Sequence, residues 1–194
     1  MKNKMLIAGI GGQGVVYLTN LITEAALLAD IPVASSEIHG LSQRRGSVVA
    51  VITFGENTYG YIEEAGADYL IGLEPLEAQR CIPYLNRNSR VIIDNNQIFP
   101  HSVNAGKTSY PDVTAFADYL QKNIKQVIVN QDFDRELKPI LRNTYILGRA
   151  VLLDGFPVPE ASIEKAVENS AKAGFKDESI RAFLLGRNKS IEQG

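Results

Sequence analysis

Four glycines, Gly9, Gly11, Gly12 and Gly14, sit between an apolar run that starts at Met5 and a stretch with helical apolar spacing. Glycine at a strand-to-helix junction lets the backbone take positive φ and lets a ligand come close to the main chain. The first N–H groups of the following helix point outward there, and the helix dipole favours an anion. Gly9, Gly11 and Gly14 also spell G-x-G-x-x-G, the dinucleotide fingerprint, which asks for an acid at the end of the second strand. Glu37 stands in that place, 23 residues beyond Gly14. A plain tight turn that presses helix against strand explains the same glycines, so both readings stand at this point.

A second group of chemical interest is the run "EIHGLSQRRGSVV", with His39, Gln43, Arg44, Arg45 and Ser47 around Gly40 and Gly46. Guanidinium forks suit phosphate or carboxylate; a solvated loop, or one bound to carboxylates of the same protein, is the plainer account. No Lys-Ser/Thr pair follows the last glycine of the first turn, so ATP hydrolysis is not expected. With two histidines and one cysteine, and none at ligand spacing, a metal site is not expected either. Cys81 lies on an apolar helix face beside Ile82 and Leu85 and reads as core. Glu63 and Glu64 mark a solvated turn. No Ser/His/Asp or Cys/His set can be assigned, so no catalytic residue is named.

These residues must be positioned by the elements around them. Residues 5–10, 31–36, 48–54, 67–73, 90–94 and 126–130 read as strands, and residues 15–29, 76–85 and 112–123 as helices. Asp112 is expected to cap the last of these, and Pro75 to fit the first turn of its predecessor. Residues 37–46 and 97–111 read as loops, and residues 59–62 as a short antiparallel edge, with Tyr59 and Tyr61 alternating as packing residues. Beyond Asp134 the chain reads helical over 143–154, 160–173 and 178–188. The connection into 48–54 is too short for a helical crossover, which points to an antiparallel or irregular neighbour. The fold expected is three-layer α/β/α: a mixed, mostly parallel sheet and a helical C-terminal region. One domain of 194 residues is expected, with 1–133 the sheet core and 134–194 helices packing on the core or on a partner.

A formal charge of −2 gives no reason to expect nucleic acid as partner. One cysteine falls short of the roughly four that an iron–sulfur centre needs. Apolar stretches end well before the roughly 20 residues of a membrane span. The start, "MKNKMLIAGIGG", imitates a signal peptide weakly and suits a first strand better, so a cytoplasmic protein is expected.

"GIGGQG" opening a helix, followed by "SEIHGLSQRRGSVVAVITFG", resembles the gamma subunit or domain of thiamine-diphosphate-dependent 2-oxoacid:ferredoxin oxidoreductases, nearest the small subunit of the indolepyruvate type. "ADYLIGLEPLEAQRCIPYL", "RVIIDN", "RNTYILGRAVLL" and "IRAFLLGR" extend the resemblance along nearly the whole chain. The indolepyruvate type usually carries Q-R-G-G, whereas Gln43-Arg44-Arg45-Gly46 is closer to subunits acting on pyruvate and related acids, which leaves the oxoacid open. The resemblance implies a chain inactive alone, within a complex that decarboxylates a 2-oxoacid to an acyl-CoA. Thiamine diphosphate and iron–sulfur clusters would lie on a larger partner subunit and pass electrons to ferredoxin. Coenzyme A is the ligand it implies for this chain, with Gly11, Gly12, Gln13, Gly14, Gln43, Arg44 and Arg45 the candidate phosphate binders. The same two loops serve equally as a subunit interface. An NAD-binding oxidoreductase and a non-catalytic scaffold are the alternatives. Apolar surface meant for an absent partner favours self-association of the isolated chain, a homodimer being one form of it, while the oligomeric state itself is left open by the sequence.

Overall fold

Alternating burial starts the architecture. In β1 (Asn3–Ile10) Met5 and Ile7 face one layer while Leu6 and Ala8 face the other, and all four are buried. A strand apolar on both faces needs cover on both, and this chain supplies it with helices. α1 (Val15–Leu28) lays Leu18, Leu21, Ile22 and Ala25 on the first face. It ends where Asp30 takes φ 54° and the Ile31 N–H returns to the Ala26 carbonyl at 2.9 Å. The computed structural model describes residues 2–39, 46–134, 136–171 and 174–189.

β2 (Val33–His39), β3 (Ser47–Phe54), β4 (Ala67–Gly72), β5 (Leu85–Asp94) and β6 (Gln126–Asn130) complete a six-stranded sheet in the order β2-β3-β1-β4-β5-β6. β3 runs antiparallel to both of its neighbours, while β1, β4, β5 and β6 pair in parallel. The mixed, mostly parallel sheet is the one the sequence predicts. α2 (Pro75–Arg80) and α4 (Val113–Asn123) cover the face of Leu6 and Ala8, with Ala78, Phe116 and Leu120 buried there. A single turn of helix, α3 (His101–Asn104), interrupts the stretch read as loop.

α5 (Arg142–Ala150), α6 (Glu160–Ser170) and α7 (Lys176–Asn188) join α1 on the opposite face. Ile146, Leu147, Ile163, Val167 and Phe183 are fully buried in the same apolar cluster as Met5, Ile7, Tyr69 and Ile92. α5 and α7 cross at two glycines. A Cβ on Gly148 would lie 2.0 Å from the Phe183 carbonyl oxygen, and one on Gly186 2.0 Å from that of Tyr145. The two "LGR" runs therefore mark backbone-to-backbone contact.

Several boundaries differ from the sequence reading. β2 continues through Glu37 to His39, because β3 pairs with it along its whole length. Residues 59–62 form no strand: Gly60 takes φ 60° and its N–H bonds the Thr53 hydroxyl at 3.1 Å. α2 stops at Arg80 and gives way to a 3-10 turn, Ile82–Tyr84, since Pro83 lacks the N–H a longer helix would use. β5 begins at Leu85, five residues earlier than Arg90. α5 ends at Ala150, where i→i−3 bonds from Leu152 and Leu153 tighten the chain. Asp112 caps α4 through the N–H groups of Thr114 and Ala115 at 2.9 and 3.1 Å, and Pro75 opens α2, as predicted.

Candidate functional site

Connections leave the sheet in opposite directions from β1 and β4, which makes the gap between their carboxyl ends a topological switch point. Crevices above such points are where open α/β sheets bind ligands. A cavity of about 610 Å³ lies there. One wall is the glycine turn, with Gly12, Gln13, Gly14 and Tyr17; another is Leu73 after β4 and Asp94 and Asn96 at the end of β5. The rest comes from Pro139, Ile140 and Leu141, the N-terminal end of α5 (Arg142, Asn143, Thr144), the end of α6 (Ser170, Ala171) and the start of α7 (Phe175, Ser179).

The turn is built by its own residues. Gly12 and Gly14 take φ 99° and 82°, values that favour glycine, and Gly14 caps α1 in the left-handed region. Gly14 is also pressed by α5, since a Cβ there would lie 2.2 Å from Nδ2 of Asn143. The Gln13 side chain bends back over the turn. Its Oε1 accepts from the Ile10 N–H at 2.7 Å, and its Nε2 donates to the Leu73 carbonyl at 2.9 Å. Gln13 thus ties the end of β1 to the end of β4. The Gly11 N–H donates to the Gly46 carbonyl at 2.9 Å, which brings the end of the second loop beside the glycine turn. Gln43, Arg44 and Arg45 lie outside the described residues.

Charge in the cavity is organised around Asp94, which is 1% exposed. Arg142 grips it with Nε on Oδ2 at 2.5 Å and Nη2 on Oδ1 at 2.7 Å, and Asn130 Nδ2 donates to Oδ1 at 3.0 Å. The Arg142 guanidinium also stacks 5.0 Å from the Phe133 ring centre. A bidentate pair of this kind fixes the start of α5, and with it Asn143, against the sheet. The first N–H groups of α1 have no intrahelical partner, so a positive helix end faces the cavity; at α5 the Arg142 N–H bonds the Pro139 carbonyl and the Thr144 N–H bonds Asn143 Oδ1 at 2.9 Å. Tyr17, Leu73, Ile140, Leu141 and Phe175 give it apolar and aromatic walls.

The dinucleotide acid is misplaced. Glu37 is on β2, and β3 lies between β2 and β1, so two strand spacings, about 10 Å, separate its strand from that of the glycine turn. Where β2 adjoins β1, the acid reaches the ribose hydroxyls of a nucleotide on the turn; here an intervening strand removes it. Cys81 is no nucleophile in waiting: burial, with a smaller push from the Glu77 carboxylate, raises its thiol to about 12. Among the described residues no group of three His, Cys, Asp or Glu could hold a metal ion. With one buried thiol the chain does not fit an iron–sulfur cluster. Sequence reasoning missed Tyr17, Asp94, Asn96, Arg142, Asn143 and Phe175; the one available signal was polar residues at the strand end "IIDNN" and the helix start "RNT".

Fold and site together define a three-layer α/β protein with a ligand-sized crevice at its switch point, built on a glycine turn. The pyruvate ferredoxin/flavodoxin oxidoreductase family matches residues 4–189. Indolepyruvate oxidoreductase subunit IorB of Archaeoglobus fulgidus is 31% identical over 98% of this chain and 96% of its own length. The gamma subunit of a keto/oxoacid ferredoxin oxidoreductase from Geobacter sulfurreducens superposes with a TM-score of 0.69 at 19% identity, covering 96% and 95% of the two chains. A 2-oxoglutarate:ferredoxin oxidoreductase from Magnetococcus marinus, solved with 2-oxoglutarate, coenzyme A and succinyl-CoA bound, gives 0.65 at 14% identity; the match spans 96% of this chain and 30% of that longer one. The chain belongs to the pyruvate ferredoxin/flavodoxin oxidoreductase family, and its fold is that of the Geobacter gamma subunit.

Proposed function

We propose that this chain serves an indolepyruvate-type 2-oxoacid:ferredoxin oxidoreductase, in which it holds the phosphates of coenzyme A for the acyl-transfer half of the reaction. The carrying observation is the glycine turn at the N-terminus of α1, opening on a cavity of about 610 Å³ at the switch point. That volume lies within the range of ligand sites, about 300–1,000 Å³. A diphosphate against Gly12, Gly14 and the start of α1 would meet N–H groups and a positive helix end. The Gly11 N–H donates to the carbonyl of Gly46, the residue that follows Arg45 in the sequence, and this supports reading Arg44 and Arg45 as ligands of the same phosphates. Tyr17, Leu73, Ile140 and Phe175 offer faces for the adenine or the pantetheine arm. Thiamine diphosphate and the clusters that feed ferredoxin belong to a larger partner subunit, and this chain contributes binding and orientation. The indolepyruvate assignment rests on the identity to the Archaeoglobus subunit over nearly the full length of both chains.

Two experiments test this reading on the assembled complex. Titration calorimetry with coenzyme A should show affinity lowered at least ~tenfold by Arg44→Ala/Arg45→Ala, the loss of about 1.4 kcal/mol expected for charge-assisted contacts; unchanged affinity rejects the coenzyme A site. Ferredoxin reduction should be fastest with indolepyruvate, and a preference for pyruvate or 2-oxoglutarate rejects the substrate. A second reading, in which both loops dock the larger subunit, draws on Gln13, whose amide is already engaged within the turn. Under it, the double variant would release the subunit from the complex on gel filtration.

A further inference from the structure

Among the described residues that line the cavity, Arg142 is the one cation and Asp94 the one carboxylate. Their pairing is side-on: Nε and Nη2 of the guanidinium meet the two oxygens of Asp94. A guanidinium holds its N–H donors in one plane and in fixed directions. Side-on pairing therefore leaves the end-on fork uncommitted, one N–H of Nη1 beside one of Nη2. Nη1 makes no hydrogen bond among the described residues and is not enclosed in the core. The Arg142 side chain keeps 24% of its surface exposed where that of Asp94 keeps 2%, so the carboxylate faces inward and the fork opens on the cavity. Phe133 holds the plane of the guanidinium from one side. The next residue adds a donor. Asn143 Oδ1 accepts from the Thr144 N–H, which leaves Nδ2 as the outward end of the amide. That Nδ2 stands against the glycine turn, 2.2 Å from where a Cβ on Gly14 would lie.

We propose that Arg142 binds a phosphate of the ligand through this fork, with Asp94 behind it as a positioning residue. The inference rests on the coenzyme A reading and adds to it the group that tells a phosphorylated acyl carrier from bare pantetheine. A planar fork matches two oxygens of a phosphate as it matches a carboxylate. Set inside a cavity of about 610 Å³, beside the positive end of α1, it suits an anionic group of a small ligand. A neutral ligand closing over the fork would strip water from its N–H groups and leave them unpaired, a cost that only an acceptor removes. Asp94 balances the charge of Arg142 while the site is empty, and its bidentate grip fixes the direction in which the fork points.

The test uses the assembled complex and steady-state acyl transfer to coenzyme A, dephospho-coenzyme A and pantetheine. Arg142→Lys keeps an ion pair with Asp94 and loses the fork. It should raise the KM for coenzyme A, relative to that for pantetheine, at least ~tenfold. Asp94→Asn/Arg142→Gln removes both charges together, strands neither, and should raise the ratio in the same way. A matching rise for dephospho-coenzyme A assigns the fork to the diphosphate, and no rise assigns it to the 3′-phosphate; either result supports the proposal. An unchanged ratio for coenzyme A in both variants overturns it. Where Arg44→Ala/Arg45→Ala raises that ratio in the same assay, the Arg142 assignment falls alone; where it does not, the coenzyme A reading falls too. Release of the chain from the complex by both variants, seen on gel filtration, also overturns the proposal, since the fork then serves the subunit interface.

Discussion

Gly14 and Gly12 answer different demands, and substitution separates them. Both have positive φ, but a Cβ at Gly12 meets nothing within 4 Å, whereas one at Gly14 strikes Asn143 at 2.2 Å. Gly12→Ala should therefore cost about 1 kcal/mol of unfolding free energy, the price of backbone strain alone. Gly14→Ala should cost somewhat more, about 1–2 kcal/mol, because the Asn143 side-chain amide must also turn aside; urea denaturation of the two variants measures the difference. Cys81 gives a second expectation. Its thiol should ignore Ellman's reagent at neutral pH and react once the chain is denatured. Since its folded value lies above the ordinary thiol value of 9, its contribution to stability is whole below pH 9 and is lost as pH rises toward 12. At this scale the sequence showed half of the site. The glycine turn is written in consecutive residues, but Asp94, Arg142, Asn143 and Phe175 reach the cavity only through tertiary packing, and nothing local announces them.

The crossing of α5 and α7 sets the strictest demand on any pair of elements. Gly148→Ala or Gly186→Ala would drive a methyl into a backbone carbonyl, which no rotamer can relieve. Each should lower stability by about 3 kcal/mol or more, seen as a fall in melting temperature of roughly 6–12 °C, whereas Gly106→Ala, in open space, should cost about 1 kcal/mol. Element type was legible wherever apolar residues recur with a clear period, as in α1, β1 and β6. Residues 59–62 misled because their burial does alternate, with Ile62 buried between exposed neighbours, while the backbone bonds a side chain rather than a ladder. Pro83 was the legible stop for α2, and its lost donor outweighed the apolar spacing around it. β2 ran on past its apolar residues because pairing with β3, rather than composition, sets its length.

For the molecule as a whole, the helices after residue 141 complete the core of one sheet face. Tyr145, Ile146, Leu147, Ile163, Val167 and Phe183 share a cluster with Met5, Ile7 and Ile92. A chain cut after residue 133 should lose cooperative unfolding in a thermal melt; a sharp transition retained by that fragment would show that the sheet stands alone. The mixed order of the sheet was foreseen from one short connection, yet its effect on the site was not. β3 enters between β1 and β2, and the Gly11 N–H closes on Gly46, the residue just before β3. That bond couples the glycine turn to the docking of a strand more than thirty residues downstream. Hydrogen exchange makes the coupling visible: the Gly11 amide should open with the free energy of the β3 amides, not with that of the first turn of α1. During folding, therefore, β1 and α1 can meet early, but the turn between them matures only when β3 arrives.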